Sequence, residues 1–212
     1  MIFDPTAIAA FITANMTWIA LILFFLLFIE GILGIGYFLP GATVLLAVGA
    51  LIGSGVAPPW LAFFGAAGGA VLGGETNYWL GYRLRKRLPT FWPFSRYSNL
   101  LPRCQAFIHR HGGKSILFGR FTKPLRPTIT AVAGMLSMPR QRFSLFNLLA
   151  GILWTALWLF GGAAITAMTG FDPEQAVTLV MGVLIAAVLI ALGAFQMERW
   201  RRRRGERQRD TD

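Results

Sequence analysis

Residues 115–142 read SILFGRFTKPLRPTITAVAGMLSMPRQR, a basic and proline-broken stretch that lies between long apolar segments. Its charges include Arg120, Lys123 and Arg126, and one such charge at membrane depth costs at least about 2.5–3.5 kcal/mol. Two prolines beside Arg126 remove backbone donors, and unpaired backbone is tolerated in a membrane only inside protein or beside a wet cavity. Charge and chain break together predict a re-entrant segment that binds something anionic.

The composition predicts a membrane protein. The chain has 212 residues, of which 55% are hydrophobic, and its mean hydropathy is +0.58. The single cysteine, Cys104, excludes an internal disulfide, and we expect no metal and no cofactor. Residues 1–82 contain no Lys or Arg, so all 20 basic residues lie from Arg83 onward, in loops between apolar segments. The positive-inside rule explains this distribution better than nucleic-acid binding does.

Apolar blocks predict an all-α membrane domain at residues 1–198, with a basic tail at 199–212. The run at 43–52 is too short to cross a hydrocarbon core of about 30 Å as a helix, so we group it with the preceding block as a hairpin. The predicted segments are a first re-entrant hairpin at 16–57, a span at 60–82, an amphipathic interfacial helix at 97–111, a second re-entrant hairpin at 115–138, and spans at 143–168 and 176–197. If either hairpin were two complete crossings, every loop would still lie on the same predicted side of the membrane.

Basic residues orient these segments. The loop at 83–114, the corner at 139–142 and the tail at 199–209 are basic, which predicts that they and the C-terminus are cytoplasmic. The turns at 53–59 and 170–174 carry no Lys or Arg and should lie outside. The two hairpins then face opposite sides. Together with a weak similarity between the two halves of the chain, this predicts an inverted repeat of the kind that transporters use.

Four stretches between residues 18 and 165 resemble a known family. They are Glu30 followed by Phe38-Leu39-Pro40-Gly41; Gly73-Gly74-Glu75 leading into Tyr78-Trp79-Leu80-Gly81-Tyr82-Arg83; Phe118-Gly119-Arg120-Phe121 through Arg126 and Pro127 to Ala133-Gly134; and Met138, Phe143, Asn147, Gly151 and Trp154. These residues are similar to the DedA family, whose members are also described as SNARE-associated or VTT-domain membrane proteins. The Gly-Arg element with a second arginine six residues later is the most specific of the four.

The resemblance implies a multi-pass protein of the inner (plasma) membrane that transports lipid. Family members are implicated in moving undecaprenyl phosphate or phospholipid between leaflets, with proton coupling suggested. The functional residues of the family map to Glu30, Arg120 and Arg126. Ala42 stands where the family usually has an acid, whereas Glu75 matches a position that the family often fills with one. Glu30 and Glu75 are therefore the candidates for proton coupling.

The candidate substrate-binding residues are Arg120, Arg126, Glu30 and Lys123. On an unbroken helix the two arginines would point about 240° apart, and the proline break would let them converge on one phosphate. The alternative without a binding site is that the arginine side chains extend to the lipid headgroups and that Lys123 lies on a loop surface. Glu30 could equally form a structural ion pair with an arginine, and Glu75 could be an ordinary acid near the cytoplasmic face. In a span, Asn147 predicts an interhelical hydrogen bond.

We therefore expect a non-enzymatic flippase that moves an anionic, phosphate-headed lipid. The alternatives are a membrane-organising protein that transports nothing, and an enzyme that acts on lipid phosphate. The enzyme is disfavoured because His109 and His111 lie on the amphipathic segment rather than near the arginines. The sequence leaves open the lipid, the direction of transport, the energy source and whether the protein forms homo-oligomers.

Overall fold

The computed structural model describes residues 16–33, 36, 39–55, 58–85, 87–90, 94–95, 99–122, 126–170 and 182. Lys123, the predicted span at 176–197 apart from residue 182, and the basic tail at 199–212 lie outside the described residues. The substrate-binding prediction for Lys123 and the predicted side of the C-terminus therefore stay predictions.

Seven α-helices make up the described part of the chain. They are α1 (Met16–Gly31), α2 (Gly41–Gly53), α3 (Pro59–Arg83), α4 (Leu100–His111), α5 (Lys114–Phe121), α6 (Arg126–Met135) and α7 (Arg140–Thr169), with a 3-10 turn at Leu88–Thr90. The described residues contain no strand, so the prediction of an all-α fold is confirmed. The predicted break in the central stretch falls between α5 and α6.

Prolines and glycines set several helix ends. Pro59 is the first residue of α3, where a missing backbone donor has no cost, and Pro139 immediately precedes α7. Helix α7 ends at Gly170, whose φ of 67° places it in the left-handed region that glycine adopts most readily. Asn99 immediately precedes α4, so Pro102 falls in the first turn of that helix, where a proline is tolerated.

Helix α7 has the properties of a membrane span. It is the one helix among the described residues that is both long and apolar enough to cross a membrane. Four large apolar side chains at a spacing of four residues are exposed along one of its faces: Leu145, Leu149, Leu153 and Leu157. A continuous exposed apolar ridge of this kind is unusual on a protein surrounded by water and is expected on a face that contacts lipid.

Glycines on α3 let two other helices pack against it closely. A Cβ atom at Gly65 or Gly69 would collide with the backbone of α1 at Ala20 or Phe24. Near the other end of α3, a Cβ atom at Gly81 would collide with the backbone of α6. Small residues allow such close approach where no hydrophobic effect drives helices together. Helix α3 therefore lies between α1 and α6 and fixes the position of both.

The second helix of the first predicted hairpin packs elsewhere. Helix α2 lies against α7, where Cβ atoms at Gly49 and Gly162 would collide with the carbonyl oxygens of Leu159 and Leu46. The two helices of this segment therefore pack mainly on different partners, α1 on α3 and α2 on α7, and touch each other little.

The predicted amphipathic segment forms α4. Its apolar face is covered by protein, because Cys104 and Ile108 are buried in a core cluster that includes Ile129 and Val132 of α6. Arg103 is exposed on the opposite face, as the periodicity predicts. Burial raises the pKa of the Cys104 thiol, so this thiol stays protonated and unreactive near neutral pH.

Adjacent glycines of α3 provide a matched test of this packing. We expect Gly69→Ala to lower stability by about 1–3 kcal/mol, since the new methyl group would force α1 away from α3. Gly68→Ala should be neutral or slightly stabilising, because its Cβ would meet only the Phe24 ring at 3.5 Å and alanine favours the helix. Thermal unfolding of both variants in detergent measures the difference, and equal stability would contradict the packing described.

Candidate functional site

The interior contains an ion pair between two helix ends that are far apart in sequence. Arg126 Nη1 at the start of α6 donates to Glu30 Oε1 at the end of α1, at 2.8 Å. The two side chains are 13% and 6% exposed. At this degree of burial an arginine or a glutamate without its partner would be strongly destabilising, so each residue holds the other in the interior.

The Glu30 carboxylate also meets the start of α2. The backbone N–H of Gly41 donates to Glu30 Oε1 at 3.2 Å, and the positive end of the α2 dipole favours a negative charge at that point. A Cβ atom at position 41 would overlap the carboxyl group, so a residue without a side chain is required there. Glu30 is thereby the point at which α1, α2 and α6 meet.

Arg126 lies on an aromatic ring of α7. Its guanidinium carbon is 3.8 Å from the centroid of the Trp154 ring, a geometry suited to a cation–π interaction. Trp154 is buried and lies near the centre of α7, which runs from Arg140 to Thr169. The ion pair is therefore located near the midpoint of the helix that has the length of a span.

Arg120, the last charged residue of α5, is buried and binds neutral groups. Its Nη1 donates to Asn147 Oδ1 at 3.1 Å, and its Nη2 donates to the carbonyl oxygen of Ala70 at 2.7 Å. Arg126 and Glu30 both lie close enough to interact electrostatically with it. The chain break thus brings both arginines to one region of the interior, although each has its own partners.

Asn147 connects Arg120 to Glu75. Its amide nitrogen donates to Glu75 Oε1 at 3.1 Å and to the carbonyl oxygen of Val71 at 2.9 Å. The Ser144 hydroxyl donates to Glu75 Oε2 at 3.1 Å. The predicted interhelical role of Asn147 is confirmed, and Glu75 belongs to the same polar network as Arg120 at a distance of two hydrogen bonds.

A second buried amide, Asn77 of α3, ties the two broken segments together. Its Oδ1 accepts from Leu33 N at 2.8 Å, and its Nδ2 donates to the carbonyl oxygens of Gly31 and Pro127. It also donates to the Thr130 hydroxyl at 3.3 Å. Asn77 therefore holds the end of α1, which carries Glu30, against the start of α6, which carries Arg126.

Part of the charged cluster has unused hydrogen-bonding capacity. Glu30 Oε2, Arg120 Nε and Arg126 Nη2 are buried and have no hydrogen-bond partner among the described residues. Two of these three atoms are donors on cations, so the cluster can accept further negative charge. Among the described residues, no group of three or more His, Cys, Asp or Glu side chains could hold a metal ion.

The structure brings together most of the residues that the sequence singles out. Glu30, Arg120 and Arg126 lie in one buried region, and Glu75 joins it through Asn147. Sequence reasoning missed two members. Trp154 is named only as part of the family resemblance, with no role beside the arginines. The signal for Asn77 is that an uncharged amide lies inside an apolar span, the same signal that drew attention to Asn147.

Removing one or both charges tests the ion pair. We expect Arg126→Met to lower the free energy of unfolding by about 3–5 kcal/mol, because Glu30 is then left buried without a cation. The double variant Glu30→Gln/Arg126→Met should lose less, because neither charge remains. Denaturant unfolding in detergent measures both. Glu30→Gln alone completes the cycle, and a loss in the double variant that equals the sum of the losses in Arg126→Met and Glu30→Gln would show that the charges do not interact.

Neighbouring residues of α3 test the role of Asn77. Asn77→Ala should be strongly destabilising, because each buried polar group left without a partner costs about 1–3 kcal/mol. Thr76→Ala is the control, since the Thr76 hydroxyl donates to the carbonyl oxygen of Leu72 in its own helix. Hydrogen exchange at residues 31–33 and 126–130 should increase in Asn77→Ala but not in Thr76→Ala. Unchanged exchange in Asn77→Ala would contradict the inference that Asn77 holds the end of α1 against the start of α6.

Comparison with known proteins identifies the family. The VTT domain matches residues 39–164. Inner membrane protein YabI of Escherichia coli K12 is 31% identical over 196 residues, which cover 90% of this chain and 76% of YabI. YghB of the same strain is 31% identical over 179 residues, and protein DedA is 28% identical over 177 residues; each match covers 81% of this chain and 80% of the relative.

No solved structure is significantly similar to the chain. The predicted family and the predicted membrane location are both confirmed by the relatives, several of which are named as inner membrane proteins. The protein belongs to the VTT-domain, or DedA, family of membrane proteins.

Proposed function

We propose that this protein moves a phosphate-headed lipid, such as undecaprenyl phosphate or a phospholipid, from one leaflet to the other. The observation that carries the proposal is the buried cluster of Arg120 and Arg126, in which one carboxylate faces two guanidinium groups. Guanidinium groups keep their charge and bind phosphate through paired hydrogen bonds. Arg120 Nε and Arg126 Nη2, which have no partner in the described part of the chain, would bind a phosphate oxygen.

Helix lengths support a site that the lipid headgroup reaches inside the membrane. Helix α2 follows α1 in the first predicted hairpin and has 13 residues, which correspond to about 20 Å, whereas a hydrocarbon core is about 30 Å thick. Helices α5 and α6 are shorter still. We infer that each pair forms a re-entrant hairpin whose tip lies at membrane depth, with Glu30 at one break and Arg120 and Arg126 at the other.

The pairing of helices supports an inverted repeat. Helix α1 packs on α3, the long helix of its own half, and α2 packs on α7, the long helix of the other half. In the same way α5 packs on α7 and α6 packs on α3. This exchange is what two interlocked repeats would produce, and transporters built in this way bind substrate near the bilayer midplane, where their helices are broken.

The ion pair suggests how substrate binding could be coupled to protons. A phosphate that binds Arg126 competes with Glu30 for the same guanidinium. A buried carboxylate that has lost its cation is unfavourable in the charged form and would take up a proton. Glu30 is therefore the proposed proton carrier, and Glu75 is a second acid in the adjoining network. The basic loops support the proposal of a multi-pass protein whose C-terminus is cytoplasmic.

Leaflet exchange in reconstituted liposomes tests the function. We expect the wild-type protein to accelerate exchange of undecaprenyl phosphate or of a fluorescent phospholipid above the rate in empty liposomes. Arg120→Gln should reduce that rate at least about tenfold, since a hydrogen bond to a charged group contributes about 1.5–3 kcal/mol. Arg103→Gln, which alters an exposed arginine of α4, should leave the rate unchanged.

Other outcomes would favour the other classes of protein. Exchange no faster than in empty liposomes for every lipid would reject transport. Release of inorganic phosphate from a lipid phosphate would indicate an enzyme. If folded Arg120→Gln and Arg126→Gln proteins complement a deletion strain fully, the protein acts as a membrane organiser and the arginine cluster has only a structural role.

A further inference from the structure

A pocket outside the arginine cluster lies where the end of α3 meets the start of α7. Its volume is about 410 Å³, within the range typical of small-molecule sites. The residues that line it combine one acid, three aromatic rings and two arginines: Glu75, Tyr78, Trp79, Tyr82, Arg83 and Arg140.

The charges in this pocket are held apart. The ion pair found among the described residues is that of Glu30 with Arg126, so neither Arg83 nor Arg140 lies within 4.0 Å of the Glu75 carboxylate. Glu75 is held by Asn147 and Ser144 of α7, and the Arg83 guanidinium lies 4.9 Å from the centroid of the Trp79 ring. One pocket thus presents separate positive and negative groups.

We propose that this pocket binds a zwitterionic headgroup, a phosphate that carries an ammonium group a few atoms away. The phosphate would bind Arg83 and Arg140, which are both exposed and can reach it. The ammonium would bind Glu75, because each carboxylate oxygen accepts one hydrogen bond here and can accept another. The aromatic walls of Trp79 and Tyr82 suit both a cation and the adjoining glycerol or acyl groups.

This site is separate from the proposed transport site. Asn147 stands between them, since its Oδ1 accepts from Arg120 while its Nδ2 donates to Glu75. The pocket contains none of the residues that form the Arg120–Arg126 cluster. Binding in the pocket can therefore be measured whether or not the protein transports lipid.

Calorimetric titration of the purified full-length protein in detergent provides the test. The probes are dioctanoyl phosphatidylethanolamine, dioctanoyl phosphatidic acid, which has the phosphate but no amine, and soluble phosphoethanolamine. We expect the wild-type protein to prefer the amine-bearing lipid over phosphatidic acid by at least about tenfold, the value of one charge-assisted hydrogen bond. Glu75→Gln should abolish this preference without weakening the binding of phosphatidic acid.

A second variant keeps the proposal falsifiable if Glu75→Gln does not fold. Arg140 is exposed at the first turn of α7. Arg140→Gln should weaken the binding of both lipids about tenfold, and the preference for the amine-bearing lipid should remain. Arg103→Gln, which alters an exposed arginine of α4 that does not line the pocket, should change nothing.

The outcomes are distinct. If only the lipid binds with this preference, the occupant is a membrane headgroup, and if phosphoethanolamine binds equally well, it is a soluble compound with the same chemistry. Equal affinity for the two lipids, or a preference that survives Glu75→Gln, would overturn the proposal.

Discussion

Arginine side chains keep their charge in proteins at ordinary pH. Burying Arg120 and Arg126 therefore imposes one constraint, which is that the surrounding structure must supply acceptors or negative charge for both guanidinium groups. Arg126 meets it with the Glu30 carboxylate and the Trp154 ring, and Arg120 meets it with an amide and a carbonyl oxygen. These partners come from α1, α3 and α7. No single segment supplies them, so the charges can be buried only when the helices are assembled together.

Close packing of helices makes those partners reachable. The Arg120 guanidinium contacts the backbone of α3 directly, and the amide of Asn147 lies against Gly74, where a Cβ atom would collide with it. Gly41 likewise leaves room for the Glu30 carboxylate. Glycine matters at these positions because it lacks a side chain, and its backbone flexibility is not what is used. It removes side-chain volume at the positions where one helix must approach the polar groups of another.

The balance of charge in the interior is uneven, and this unevenness connects the fold to the proposed function. Within the described ranges, two cations face one directly bonded anion, and Glu75 is reached through Asn147. An anionic ligand would correct the balance where it binds. The pocket beside Glu75 has a different arrangement, in which an acid and two arginines lie apart on aromatic walls. The same polar network therefore links a region suited to phosphate with one suited to a paired positive and negative headgroup.

The sequence by itself determined the all-α membrane class, the family and the break between Arg120 and Arg126, because these depend on composition, local periodicity and the positions of prolines. It also singled out Glu30, Arg120 and Arg126 as candidates, since a charge in an apolar chain is costly wherever it lies. Only the tertiary structure decided that Arg126 rather than Arg120 bonds Glu30, that Trp154 supports the pair, and that Asn77 ties the two broken segments together. Those choices depend on which helix lies beside which, and contacts between residues up to 96 positions apart follow no local pattern in the chain.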